Sequence, residues 1–545
     1  MPTPLAARQM TDITKIEAPP DFPDQGEEGG RKMRGNAMKV AIASLLSRVS
    51  GLAREVAFAA AFGASAAADA FLGAFRVGNL FRELLAEGAL ANAFVPMFAD
   101  VSEKEGLKSA WRLANAFLGV LLLISGIITI ATLIFAEPLI MMVASGFAQD
   151  PNKLELATNL TRILAPFIAT ISAASVFMGM LNVRGKFFLP AIVPMVYNAF
   201  VIAACLGRDW IGEVTGFHPI YAVGIAALLG GIGQAVVQLP ALRRDGFRLK
   251  ISLGKHPALK RLLKFVVPAV IAISVVQVNL LIETQLASRE GDGPVAWLIY
   301  SFRIAHLPMS VVSGAVGVAA LAGLSILRAK GKTEEFRTTL ASSINLNSFL
   351  LLPAAICVYI YAIPTVKFIF ERGAFTTADT AATASMLQMY AIALLGIGIH
   401  RVMVPIFYAL DDPMTPMWAG LATVALKYPV AIWLVHKIGI DGLPLSHAVL
   451  VTLEISLLLV IVCRRVPGIT RPILSSHLKV FVAGGAMVLA LWNTRGIATG
   501  IGFIPLSAVG CGFYLMLTSL LGVPEAKRIT NRLIRGPKRP PKQQH

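Results

Sequence analysis

The sequence predicts an all-α polytopic membrane protein: about fourteen transmembrane helices, in two pseudo-symmetric six-helix lobes plus two C-terminal helices. Three observations carry this expectation. First, the 545 residues are 56% hydrophobic and only 15% charged, with a mean hydropathy of +0.69, whereas soluble domains carry about 25% charged residues. Second, predominantly apolar stretches without a charged residue, such as 117–136, 266–282 and 344–363, have the length or composition of bilayer spans. Third, short patterns recur at a fixed separation. Ala74-Phe75-Arg76-Val77 with Leu80 returns as Ser301-Phe302-Arg303-Ile304 with Leu307. Pro138 with Gly146-Phe147 returns as Pro364 with Gly373 and Phe375, and Pro190 returns as Pro416. The differences in numbering (303−76, 364−138, 373−146, 416−190) all equal 226 or 227. So constant an offset marks a parallel repeat of six spans.

Taken in order, residues 1–36 are rich in Pro, Gly and acids and lack an apolar core, so they read as a disordered cytoplasmic extension. Hydrophobicity and turn signals then place helices at 37–61, 67–99, 109–136, 154–182, 187–207 and 219–242, making a first lobe of 37–245. A second lobe of 246–465 holds 258–288, 294–328, 335–363, 379–410, 414–436 and 442–463. Two further spans, 476–495 and 499–522, fill 466–522, and 523–545 is a basic tail.

The net charge of +18 is spread through short loops and the tail, not along one patch, which argues against a nucleic-acid partner. Arg31, Lys39, Lys104, Arg112, Arg184, Lys186, Arg243, Arg244, Arg328, Lys332, Arg464 and Arg465 fall on one side, and the opposite loops hold little beyond Lys153, Arg208, Arg289, Lys367, Arg372, Lys437 and Arg495. The positive-inside rule makes the rich side, with both termini, cytoplasmic. Asp411 and Asp412 break this pattern as an acidic inside loop. Cys205, Cys357, Cys463 and Cys511 lack pair spacing and read as packed thiols.

Charged groups at membrane depth cost several kcal/mol and persist where they face a cavity or a partner. The first two spans hold Arg48, Arg54, Glu55, Asp69, Arg76, Arg82, Glu83 and Glu87. Helical spacing puts Arg48 with Glu55 on one face, Arg54 turned away, and Asp69, Arg76, Glu83 and Glu87 near another. The second lobe adds Arg303, His306, Arg401 beside His400, Lys427, and Glu283, a carboxylate with no evident partner. A cluster of planar guanidinium forks with few acids suits an anionic ligand. Bland readings stand beside this one: structural ion pairs at Arg76–Glu83 or Arg48–Glu55, a snorkelling Arg82, and a packing role for His306. There is no Walker A loop, since Ile326 stands where Gly331-Lys332-Thr333 would need its first glycine. No zincin helix or nucleophile elbow occurs, so a transporter without ATPase, cofactor or metal is expected rather than an enzyme.

The run from Ser47-Arg48-Val49-Ser50-Gly51-Leu52-Ala53-Arg54-Glu55 through Ala68-Asp69-Ala70-Phe71, Asn79-Leu80-Phe81-Arg82, Ala86-Glu87-Gly88-Ala89 and Phe94-Val95-Pro96 resembles the opening of the MurJ/MviN lipid II flippases of the MOP exporter superfamily. The similarity continues more weakly to about residue 522. It implies two lobes, alternating access, and transport of an undecaprenyl-diphosphate-linked peptidoglycan precursor across the bacterial inner membrane. By position it places substrate-binding groups at Arg48, Arg54, Arg303, Asp69, Glu55 and Arg82. It also places the family's basic position of the tenth span at Arg401; the charged and polar residues themselves suggest gating or coupling at Ser47, Arg76, Glu87, Glu283, His306 and Arg401. Phe302 and His306 stand where the family carries acids, and Gly78 where it carries a proline. These departures leave open a different polyprenyl-diphosphate-linked glycan, or a non-transporting scaffold that recruits cell-wall synthesis proteins through its tail.

Overall fold

The computed structural model describes residues 27–84, 94–252, 256–498 and 500–535, with side chains from 38 to 530 apart from 265–273 and 275–276. Glu87, most of the N-terminal extension and the last tail residues, including Lys538 and Arg539, lie outside these. The described chain is helical throughout, without a strand. The helices are α1 (Glu27–Phe62), α2 (Ala66–Arg82), α3 (Val95–Lys104), α4 (Leu107–Ile134), α5 (Ala136–Val143), α6 (Pro151–Leu164), α7 (Phe167–Val183), α8 (Phe188–Leu206), α9 (Arg208–Thr215) and α10 (Ile220–Arg244). The second half runs α11 (Pro257–Ala287), α12 (Pro294–Ala329), α13 (Thr333–Ile360), α14 (Ala362–Phe370), α15 (Thr377–Ala409), α16 (Met414–Ile438), α17 (Gly442–Arg465), α18 (Thr470–Trp492), α19 (Phe503–Leu520) and α20 (Pro524–Arg535).

By length and composition, ten helices or helix runs of the described residues could cross a membrane. α1 and α2 fall outside that set: α2 has 17 residues, and α1 carries its basic entry together with Arg48, Arg54 and Glu55. The chain is nonetheless a multi-pass helical membrane protein. The segment expected at 154–182 is two helices, because Pro166 cannot continue the backbone hydrogen bonding of α6.

The repeat is visible in the helix limits. α4 and α13 are offset by 226 in numbering at both their starts and their ends (333−107, 360−134). The stretch from the start of α6 to the end of α7 and the single helix α15 obey the same offset (377−151, 409−183), as do the starts of α8 and α16 (414−188). Even the caps correspond. Asp150 accepts the Asn152 N–H to open α6, and Thr376, at the same offset (376−150), forms a reciprocal capping box with Asp379 to open α15. Packing follows the halves. α8 packs on α1 and α10, and α7 on α10; α15 packs on α12, α13 and α17, and α16 on α11 and α17. α18 and α19 pack on α13.

Chain direction separates two ends, one rich in basic residues and one sparse. At the sparse end the halves are sealed by backbone. The Ala374 N–H donates to the Ala60 carbonyl (2.8 Å). Gly63 and Gly373, both left-handed with φ +60°, lie against the carbonyls of Ala374 and Ala60, leaving no room for a Cβ. The Gly146 N–H reaches Ser288 Oγ (3.0 Å), and Tyr300 Oη reaches the Gly63 carbonyl (3.3 Å). At the rich end the acidic loop is answered locally: Asp411 pairs with Arg328 (2.8 Å) and Asp412 with Arg465. All four cysteines are free thiols.

Candidate functional site

Between the halves lies a cavity of about 760 Å³, within the range of ligand sites. Its lining starts at Leu72 and Leu298, roughly one turn inside the sparse-end seal, and reaches Arg82 and Glu83 at the far end of α2. Arg54, Arg76, Arg82 and Arg303 all line it, so α1 and α2 of the first half and α12 of the second deliver four guanidinium groups to one hollow.

Glu55 organises two of them. Its side chain is buried at 8% exposure, and its Oε1 takes the guanidinium groups of both Arg54 and Arg303. Arg54, expected to turn away from Glu55, meets it instead. A long side chain spans the angle between successive helical residues, and the Arg54 guanidinium also lies 5.1 Å from the ring centre of Tyr197. Arg48, expected on the Glu55 face, is exposed and outside the cavity. Seven residues do return to the same angle, but they also separate the pair by about 10 Å along the axis, beyond ion-pair reach. Ser47 lies on the same outer turn, where its carbonyl accepts from Ser50 Oγ.

The rest of the α2 face is also dispersed. Arg82 Nε donates to Asn79 Oδ1 (2.7 Å) and lies 3.5 Å from Glu83. Glu83 in turn accepts from Asn79 (2.6 Å) and from Gln277 of α11. Among the described residues no ion pair joins Arg76 to Glu83, although both face the hollow. Asp69, expected beside the arginines, is two turns away and fully buried at the sparse end. It accepts from Lys153 Nζ (2.9 Å) and from the N–H groups of Gly293 (2.8 Å) and Ala296 (2.9 Å), where it caps the start of α12. Lys153 also reaches Asp292 (2.9 Å) and the Gly291 carbonyl (3.1 Å). Trp297 Nε1 adds a bond to Asp379 (2.9 Å). Asp69 therefore ties the first half to the second, and does not orient arginines.

Glu283, read from sequence as lacking a partner, has three. Lys427 Nζ lies at 2.6 Å, His447 Nδ1 at 3.1 Å and Tyr390 Oη at 3.1 Å. Both Glu283 and Lys427 are 1% exposed. His306 stacks on Phe302 (ring centres 3.7 Å apart), and its Nε2 is buried without a hydrogen-bond partner. His306 and Arg401 line a second hollow of about 390 Å³.

Sequence reasoning missed Lys153, Tyr197 and Gln277 as site-building groups. Lys153 carried a usable signal: it is among the few cations of the sparse loops, and membrane-depth Asp69 needed one.

The family described as lipid II flippase MurJ matches residues 58–507. A probable lipid II flippase MurJ from Bdellovibrio bacteriovorus is 33% identical over 473 residues, covering 85% of this chain and 89% of that protein. The lipid II flippase MurJ of Burkholderia cenocepacia is 35% identical over 455 residues, covering 82% and 87%. Among solved structures, one of lipid II flippase MurJ in an inward closed conformation superposes with a TM-score of 0.75 at 24% identity, covering 91% of this chain and 99% of that one. An inward-facing MATE multidrug transporter of the MOP superfamily gives 0.64 at 16%, covering 79% and 99%.

Proposed function

The chain belongs to the lipid II flippase MurJ family, and from that premise we propose that it carries a polyprenyl-diphosphate-linked peptidoglycan precursor from the cytoplasmic to the outer leaflet by alternating access. Fourteen spans, with lobes at 37–245 and 246–465, provide the moving parts. One observation carries the reading: Arg54 and Arg303 come from opposite halves and share the single carboxylate of Glu55 at the wall of a hollow that Arg76 and Arg82 also line.

That arrangement suits capture and release. A diphosphate offers several oxygens to guanidinium forks that otherwise divide one carboxylate, so it can take both arginines while Glu55 keeps them aligned. When the lobes part, Arg303 leaves with its own half, the grip shared across the halves is broken, Glu55 keeps Arg54, and the ligand is released. By the positive-inside rule the rich end is cytoplasmic, so the sparse-end seal closes the outer face and the hollow is set to load from within. The inner membrane is the corresponding location, with both termini inside. An inside-negative potential favours export of an anionic head by about 2.3 kcal/mol per charge per 100 mV, which supports transport without nucleotide.

The test is Arg303→Ala in a strain depleted of its own flippase, with leaflet accessibility of lipid II as readout. Loss of growth and precursor trapped on the inner face, with normal membrane levels of the variant, is the expected outcome. Full rescue by the variant removes Arg303 from the mechanism. Phe302 occupies a position where the family carries an acid, which keeps a scaffold for cell-wall synthesis proteins as the second reading. A protein truncated after residue 523 should still rescue a flippase and should fail as a scaffold.

A further inference from the structure

The second hollow is the first one repeated. On α7, Ala174, Ser175 and Met178 line the arginine-bearing cavity; their counterparts at the repeat offset (400−174, 401−175, 404−178), His400, Arg401 and Val404 of α15, line the other. On α8, Pro194 and Tyr197 line the first, and Gly420 and Thr423 of α16, at the same offset, line the second. Asn79 of α2 and His306 of α12 correspond in the same way (306−79). The two spaces share a wall, since Leu280 and Phe302 line both.

Duplication kept the shape and changed the chemistry. The first cavity has neutral Ala174 and Ser175 where the second has an imidazole and a guanidinium, and Thr423 vacates the space of a tyrosine ring. The acids within reach are engaged: His400 holds Glu454 (3.1 Å), and Lys427 and His447 hold Glu283. Arg401 has no ion-pair partner among the described residues, and His306 Nε2 has no hydrogen-bond partner.

We propose that this second hollow is an anion subsite: Arg401, with His306, binds a carboxylate on the head of the lipid-linked precursor whose diphosphate lies in the first. The inference rests on the transport reading above. One fork beside one imidazole matches a single planar carboxylate, whereas four guanidinium groups match a diphosphate. The shared wall at Phe302 lets one ligand extend into both.

Binding of three probes to the purified full-length protein tests it: lipid II, lipid II with its peptide carboxylates converted to amides, and undecaprenyl diphosphate, which lacks the head. Arg401→Gln should weaken lipid II about tenfold, the worth of one charge-assisted hydrogen bond. It should leave undecaprenyl diphosphate unchanged, and amidation should weaken the unsubstituted protein but not the variant. Arg303→Gln should weaken lipid II and undecaprenyl diphosphate alike. His306→Asn, a smaller perturbation, should show the Arg401 pattern in reduced degree, and melting curves of all variants exclude misfolding. Equal loss of both lipids on Arg401→Gln overturns the subsite, as does no loss. Arg401-dependent binding of inorganic phosphate without any effect on lipid II also overturns it, assigning the hollow to a free anion. If the unsubstituted protein binds no probe, the transport reading fails first.

Discussion

Glu55 on α1 and Glu283 on α11 are the buried acids of the first helix of each half, out of strict repeat register with one another (283−55 = 228, against 226–227), yet they live differently. Glu55 sits between two arginines whose side chains are 20% and 33% exposed at the border of a hollow. Glu283 also lines that hollow, but it is bonded to Lys427, His447 and Tyr390, with its own side chain 2% and its lysine 1% exposed. One carboxylate holds two guanidinium groups across the halves, and the other braces helices within the second half. Arginine forks at a wet wall can trade a carboxylate for a phosphate; a buried ammonium on a short leash cannot, because exchange would strand a charge.

Substitutions can break that contrast. The largest effect is expected at the brace: Glu283→Ala leaves Lys427 uncompensated and should cost about 3–5 kcal/mol of stability, read as a lowered melting temperature in detergent. Glu55→Ala should cost less, about 2 kcal/mol, since the arginines it leaves are 20% and 33% exposed and can turn to water. Equal losses at both positions would end the distinction. Replacing Glu283 and Lys427 together by methionine should recover most of the stability, because the charges leave as a pair. Next comes the exchangeable wall, where Arg303→Lys should weaken lipid II about tenfold despite the retained charge, as an ammonium cannot fork between two oxygens.

A smaller change is expected at the sparse end. Asp69→Asn keeps an acceptor for the start of α12 and for Lys153, which also retains Asp292, so the lost charge should raise the open population about fivefold, roughly 1 kcal/mol. Alkylation of an Ala64→Cys probe from that side measures it. The smallest effect concerns pH at the rich end. The Thr415 hydroxyl, its backbone N–H and Arg465 hold Asp412 below the usual carboxylate range. A depressed carboxylate stabilises above its unfolded value near 3.9 and loses that contribution as pH falls through its folded one. Hydrogen-exchange protection factors in 411–416, which remove the intrinsic pH dependence of the rate, should therefore stay flat from neutral pH down to about 5 and fall only in stronger acid.

Much of this was legible in the chain. The constant offset between the halves came from a handful of Pro, Gly and Arg-centred matches, and helix limits and caps obey it. Arg54, Arg303 and Glu55 stood out because ionisable groups among apolar spans need partners. Pairings across the fold were not legible. Glu283 and Lys427 are 144 residues apart, and Asp69 and Lys153 are 84 apart, so no helical period connects them. Facing angle alone misplaced Arg48 and Asp69, because it ignores height along the helix, and height decides which end of a membrane protein a side chain serves.

The paired glycines of the seal have one more implication. Where Gly63 and Gly373 press against carbonyls of the opposite half, a single added methyl acts as a wedge, and alanine there is the smallest lever that chemistry offers on the two shapes of this molecule. Such a variant would hold the sparse-end seal ajar, turning a fleeting arrangement into one that can be isolated.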